Sequence, residues 1–287
     1  MAKDTQSPWR GQQPVAGRPA TTGLTLVEMA LVLAIIALMA ALFLPISSGL
    51  REAQQIKETR AKLAAIEAAL TRFVMLNGRL PCPADGALAD DAVGAGLEQS
   101  GATSSGCQSS VQSRAVVPWR TLGLTADEVL DAWGGRISYW PWMTYGTAGR
   151  SLTLATALGS CPSSTTPFST RSAADWKSCL DALGPPRLGH RVLAPGSAAV
   201  LADPALNTGA AYVLISHGPN RFGGYTSSGV LMAGGPASVE RQNDNGQPVK
   251  NNVTQGYYQG QASADFDDLV VWRTLMQVAV EAQKVQP

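Results

Sequence analysis

"TTGLTLVEMALVLAIIALMAALFLP", residues 21 to 45, is the stretch that decides how this chain is organised. From Leu24 to Leu44 it carries a single ionisable side chain, Glu28. An α-helix rises ~1.5 Å per residue, so a run of this length covers roughly 30 Å, the hydrocarbon thickness of a bilayer. A cleaved secretory signal has a shorter apolar core and a small-residue cleavage site behind it. A soluble core helix rarely runs this long without charge. The expectation is a membrane-spanning helix over residues 24–44. Two details need a cause: the acid near its start, and the polar segment of 23 residues ahead of it.

Composition constrains the rest of the chain. Lys and Arg total 22 against 21 Asp and Glu, which gives no reason to expect nucleic acid or an acidic substrate. Hydrophobic residues make up 45% of the 287-residue chain, ample for a core. Only 15% of residues are charged, and there are 29 Gly and 18 Pro, which favours a loop-rich, mainly β part joined to a helix over a helical bundle.

Basic residues do not orient the span, because Lys3, Arg10 and Arg18 precede it and Arg51, Lys57, Arg60 and Lys62 come after. The cysteines say more. Cys82, Cys107, Cys161 and Cys179 all lie after it, with no C-x-x-C and only 2 His in the chain, so zinc is not expected and an oxidising compartment is. Four cysteines allow three pairings, and the sequence does not choose among them. Two local loops, Cys82 with Cys107 and Cys161 with Cys179, are the simplest arrangement.

A polar leader ending in Gly23, then "LTLVE", then an apolar helix with Pro45 at its far end: this combination resembles the N-terminus of type IV pilin-like proteins, the pilins and the pseudopilins of type II secretion. The resemblance implies that a prepilin peptidase of the inner membrane cuts between Gly23 and Leu24 and methylates the new amine of Leu24. It makes Glu28 the family's glutamate near the start of the mature helix, and Pro45 stands where many pilins carry a proline. Leu24 departs from the usual phenylalanine. Residues 1–23, with Pro8, Pro14 and Pro19 set against helix, are then an unstructured leader that is removed, leaving 264 residues and a net charge of −1 in place of +1.

The physics of Glu28 is compatible with that role. A charged acid at mid-bilayer costs ~2.5–3.5 kcal/mol on insertion scales, less near a helix end. Within a bundle of such helices a neighbour's Leu24 ammonium offers a partner, and the pair would fix the axial register between subunits. The plainer reading is a tolerated interfacial glutamate.

Beyond Pro45, helical periodicity resumes after a weak stretch that Pro45 and Gly49 can bend. Ile56, Leu63, Ile66, Leu70 and Phe73 form one apolar stripe, and Asn77-Gly78 makes a stop. Residues 45–78 are thus an amphipathic continuation of the helix, and residues 79–287 a β-rich periplasmic domain. Strands are expected at Arg136–Trp140, Ser151–Ala155, Tyr212–Ser216, Val230–Ala233 and Leu269–Trp272. Cys161 to Pro204 reads as an insertion. "DAWGGRISY" (Asp131 to Tyr139) and "FDDLVVW" (Phe266 to Trp272) resemble pseudopilin segments; as plain chemistry the first is a turn started by Asp131, with Trp133 in the core. The fold class expected is α+β: a long N-terminal helix, transmembrane then amphipathic, packed on a mainly antiparallel β domain.

No enzyme signature emerges. Ser216 and His217 are neighbours on a strand and point to opposite faces, so they are not a nucleophile–base pair. There is no G-x-S-x-G, H-E-x-x-H or phosphate-binding glycine loop. Calcium is the one cofactor worth weighing: Asp265, Asp267 and Asp268 cluster, "NDNG" (Asn243 to Gly246) offers oxygen ligands, and some major pseudopilins bind calcium near the C-terminus. "NDNG" lacks the later glutamate of a complete calcium loop, so no metal ligand is assigned.

The resemblance implies a minor subunit of a type IV pilus-like or type II secretion filament. Its partners are the prepilin peptidase, other pilin or pseudopilin subunits and the bacterial inner membrane, crossed once with the soluble domain in the periplasm. Adhesion or DNA uptake is a variant within the family, and nothing indicates nucleic acid. The alternative from another class is a signal-anchored periplasmic enzyme or binding protein.

Overall fold

The computed structural model describes residues 25–77, 79–100, 107–142, 189–197, 199–206, 208–233, 235, 239–247, 256–263 and 265–284. The chain divides into two compact units, Met1–Arg51 and Glu52–Pro287. Helix α1 (Leu26–Asn77) is assigned without interruption through Pro45 and Gly49 and ends at the expected asparagine.

In the first unit the described side chains of α1 are bare. Leu26, Leu31, Leu33, Ile36, Leu38 and Met39 are each more than half exposed. At ~100° per residue these positions fall on every side of the helix, so no single face is reserved for a partner. Among the described residues no helix is long and apolar enough to cross a membrane. The side chains of residues 41–48, within the second part of the apolar run, lie outside the described residues.

The second unit is mixed helix and mainly antiparallel sheet, an α+β arrangement. Its strands are β1 (Ala84–Asp85), β2 (Ala115–Val116), β3 (Gly135–Arg136), β4 (Ser138–Pro141), β5 (Arg191–Leu193), β6 (Val200–Ala202), β7 (Ala210–Ser216), β8 (Tyr225–Thr226), β9 (Gly256–Tyr258) and β10 (Leu269–Thr274). The principal sheet has five strands in the order β1-β2-β4-β7-β10, all antiparallel. A two-stranded sheet pairs β3 with β8, and a three-stranded one runs β6-β5-β9 with β5 and β9 parallel.

β7, "AAYVLIS", is buried along its whole length because both faces of the principal sheet are covered. Tyr212 and Leu214 face the C-terminal part of α1, where Leu63, Ile66, Leu70 and Val74 are buried, and the closing helix α3 (Leu275–Lys284), which contributes Leu275 and Val278. Val213 and Ile215 face the other way, onto Val192, Ala202 and Tyr257 of the three-stranded sheet. Truncating any of the buried aliphatics to alanine costs ~2–5 kcal/mol. The stripe on α1 differs from expectation at its end: Val74 is in the core, while Phe73 is half-buried beneath the Arg79 guanidinium, 5.2 Å from its ring centre.

Other expectations need correction. Arg136–Trp140 is not one strand. Arg136 pairs with Tyr225, whereas Ser138 onward pairs with β7, so the chain changes sheets at Ile137. Val230–Ala233 is not a strand but one side of a turn, its hydrogen bonds spent on Gly223, Gly224 and Thr226. The C-terminal part of the supposed insertion supplies β5 and β6, whose Val192 and Ala202 complete the core, so it is no appendage. Trp133 is half-buried and packs in neither core cluster. Ser151–Ala155 lies outside the described residues.

Candidate functional site

Of the residues assigned to processing and assembly, Gly23 and Leu24 lie outside the described residues. Glu28 is described, in the first turn of α1. The Thr25 amide and hydroxyl donate to Glu28 Oε2 at 2.8 and 3.0 Å, and the Glu28 amide donates to Thr25 Oγ1 at 3.3 Å. This is a reciprocal capping box, which satisfies amides that a helix start otherwise leaves open. The T-x-x-E spacing is a sequence signal for such a box. The chain repeats it at Thr125 and Glu128, whose carboxylate accepts from the Thr125 amide at 2.7 Å and hydroxyl at 2.8 Å.

Cys82 and Cys107 are disulfide-bonded, their Cα atoms 5.5 Å apart. Cys161 and Cys179 lie outside the described residues. The bonded loop is tied to the end of α1 by charge as well as by sulfur. Arg79 donates to both oxygens of Glu98, at 2.7 and 2.6 Å, and the Cys82 amide donates to Glu98 Oε2 at 2.9 Å. The two cysteines are 25 positions apart, so replacing both with serine should destabilise the domain by about 3 kcal/mol on the chain-entropy model. Urea unfolding of the variant against the wild type checks this.

Far from the helix start in sequence, the ends of β4, β7 and β10 meet in a buried polar cluster. Asp131 starts the turn at "DAWGG". Its Oδ1 accepts from Trp133 N and Gly135 N at 3.0 and 2.8 Å, and its Oδ2 from Ser216 Oγ at 2.7 Å. Thr59 of α1 accepts from Ala132 N at 3.1 Å and pins this turn to the helix. His217, 1% exposed, does not meet Ser216; its Nε2 lies 2.8 Å from Ser138 Oγ and its Nδ1 3.6 Å from Asp268 Oδ1. Asn245 Nδ2 donates to Ser138 Oγ at 2.7 Å, and Asn243 Nδ2 to Asp268 Oδ2 at 2.8 Å.

Ser138, His217 and Asp268 thus stand in the order of a nucleophile, a base and its orienting acid. Exposures of 0%, 1% and 3% close them to any substrate in this conformation, and Ser138 is paired on both sides within the sheet. What the cluster does is hold the 240–246 segment against the sheet end. Sequence inspection missed Ser138, since 79 positions separate it from His217 and no local spacing marks the pair.

Beside this cluster, Glu240, Asp267 and Asp268 bring oxygen atoms within 4.8 Å of one another. Asp267 and Asp268 came from the acidic segment, but Glu240 was not anticipated, and exposed Asp265 is not among them. The "NDNG" amides are turned inward: Asn243 bonds Asp268 and Tyr258, and Asn245 bonds Ser138 and Gly223. The three acids suit a hard cation by ligand type. Burial, then the hydrogen bond and charge of Glu240, raise Asp267 to about 8, and burial raises Asp268. Burial works against charge on His217, but Asp268, Asp244 and Asp131 outweigh it and raise its pKa.

The folded chain therefore holds the Asp267 proton more tightly than the unfolded chain does. Its contribution to stability is complete below about pH 4, the unfolded carboxyl range, and is lost as the pH climbs towards about 8. His217 works in the same direction from its ordinary value upward. The midpoint of thermal unfolding, measured in chelator, should fall as the pH rises from about 5 to about 8.5. Asp267→Asn should flatten that fall; an equal slope in the variant would assign the dependence elsewhere.

No family model, curated protein or solved structure matches this chain. The functional reading rests on its own residues and geometry.

Proposed function

We propose that this chain is a minor subunit of a type IV pilus-like or type II secretion filament. It is made as a precursor in the inner membrane with its globular part in the periplasm, and it acts by assembly instead of catalysis. The observation that carries the reading is the start of α1. Apolar side chains stand exposed on every side of the helix, interrupted only by Glu28, directly behind Gly23. Such a surface is stable in a bilayer or inside a bundle of like helices, and not in water. The disulfide-bonded, β-rich domain beyond it suits the oxidising side of that membrane. Its bulk, 209 residues from position 79 on, favours a low-copy or terminal subunit, because large loops crowd a dense helical lattice.

Processing tests the reading. Co-expression with a prepilin peptidase should shorten the chain by the 23 residues of the leader and leave an N-methylated Leu24, both read by intact mass. Gly23→Val should block the cut by placing a branched side chain at the cleavage site. A wild-type mass that active peptidase leaves unchanged refutes the assignment.

A further inference from the structure

β10 ends the principal sheet, and no described strand pairs with its outer side. The register decides which of its peptide groups are left over. The Trp142 amide bonds the Ala211 carbonyl at 2.8 Å, so alternation along β7 gives Val213 and Ile215 to β4, and Tyr212, Leu214 and Ser216 to β10. On β10 the peptide groups of Val270 and Trp272 therefore turn outward. The Val270 carbonyl is met at 3.0 Å by the side-chain amide of Gln259, whose oxygen accepts from Trp272 Nε1 at 2.8 Å. A carboxamide thus already sits on this edge in the place of a peptide group. The Val270 amide and the amide and carbonyl of Trp272 have no partner among the described residues.

The edge lies in a groove made of adjoining cavities of about 260 and 410 Å³, which share Glu67, Gln259 and Val271. The C-terminal part of α1 forms one wall, where exposed Ala64 leaves room beside Leu63; Gln259 and Gly260 form the other. Most of the charge along it is already matched. Glu67 and Arg273 are paired at 2.9 Å, and Asp268 is buried against Asn243 and His217. Arg60 is exposed and has no ion pair among the described residues, so the Asp268 end of the groove offers an open cation. We propose that this groove binds an extended, acidic segment of a partner protein, which adds to β10 as a sixth strand of the five-stranded sheet. Open peptide groups on alternate residues recognise an extended backbone, because a helix keeps its own amides and carbonyls bonded. Ala64 gives space to the incoming side chains on the α1 side, and Arg60 selects a carboxylate among them. A second copy of β10 fits less well, since Gln259 occupies the Val270 carbonyl that symmetric pairing would use. Every residue of the site lies in the unit from Glu52 on, so the proposal stands or falls independently of the filament reading.

Short random peptides displayed on phage, panned against the disulfide-intact full chain in detergent, supply the probe. Enriched peptides should lack proline at their centre, alternate apolar with polar residues, and carry Asp or Glu. A labelled synthetic copy is then measured by fluorescence anisotropy. N-methylation at alternate residues in one register should weaken it at least about fivefold, the equivalent of one lost hydrogen bond, while the other register leaves it unchanged. Arg60→Glu should weaken binding about threefold at low salt, and less at high salt. Ala64→Trp should fill the groove and abolish binding, with its urea midpoint as the check on folding. The methylated peptides need no altered protein, so their result holds whatever the variants do to the fold. Failure to enrich any peptide, equal loss in both registers, or binding indifferent to Arg60→Glu and Ala64→Trp overturns the proposal. Self-association of the full chain that Ala64→Trp abolishes, with no peptide enriched, would assign the edge to a second copy and overturn the partner.

Discussion

Replacing Arg136 with methionine should destabilise the folded domain by about 3–5 kcal/mol, the range for removing one partner of a buried ion pair. Arg136 is 1% exposed and spends its guanidinium on four acceptors. Nη1 donates to the carbonyls of Gly86 and Leu88 at 2.9 and 2.7 Å, and Nη2 to Asp90 Oδ1 at 2.5 Å and the Ser227 carbonyl at 2.8 Å. Its flat face lies 4.9 Å from the ring centre of Trp119. Gly96 also packs on Trp119, where any side chain would run into the indole. One side chain thus fastens the 86–97 loop, the β8 turn and helix α2 (Trp119–Leu122) to β3. Methionine fills similar volume but satisfies none of the acceptors. Asp90, at 32% side-chain exposure, can rehydrate, so Asp90→Asn should cost much less. The measurement is urea unfolding of the disulfide-intact chain in detergent. A loss below about 1 kcal/mol would show that water replaces the guanidinium readily and that the loop is not fastened in this way.

How legible this protein was in sequence depends on the range over which each feature is decided. The helix α1 and the strands β7 and β10 were legible because their signal is local: a stripe at helical period, and apolar runs between turns. The two-residue strands β1, β2, β3 and β8 were not, because two residues have no period. Around β1, β3 and β8 the fastening comes from elsewhere in the chain, through an arginine that gathers acceptors from segments 46 to 91 positions away. Val74 replaced Phe73 in the core for a similar reason: Arg79 offers the phenyl ring a cation at the surface, and the stripe rule takes no account of that. In the polar cluster, His217 and the acidic segment drew attention by residue type, but Ser138, Glu240 and Asn245 are ordinary until the sheet brings them together.

Glu28→Ala should reduce incorporation into filaments severely while leaving insertion, the disulfide and the fold of residues 52–287 intact. An apolar side chain at this position removes a desolvation cost, so the variant should enter the membrane at least as well as wild type. It also loses the capping box, at ~0.5–2 kcal/mol of local helix stability, so alanine alone leaves two explanations for poor assembly. Glu28→Gln separates them. Glutamine serves at this position of a capping box, and its amide oxygen can take the Thr25 bonds now ending on Oε2. What it lacks is the negative charge that a neighbour's ammonium requires. If pairing with the Leu24 amine is what registers one subunit on the next, glutamine should incorporate as poorly as alanine. If only the cap matters, glutamine should be close to wild type. A subunit at the extreme tip has no neighbour ahead of it and would tolerate both changes. The experiment therefore uses a strain with every other prepilin intact and counts incorporation by crosslinking to adjacent subunits. Wild-type incorporation of Glu28→Ala there would remove the registration role and leave Glu28 as an interfacial acid that caps its own helix.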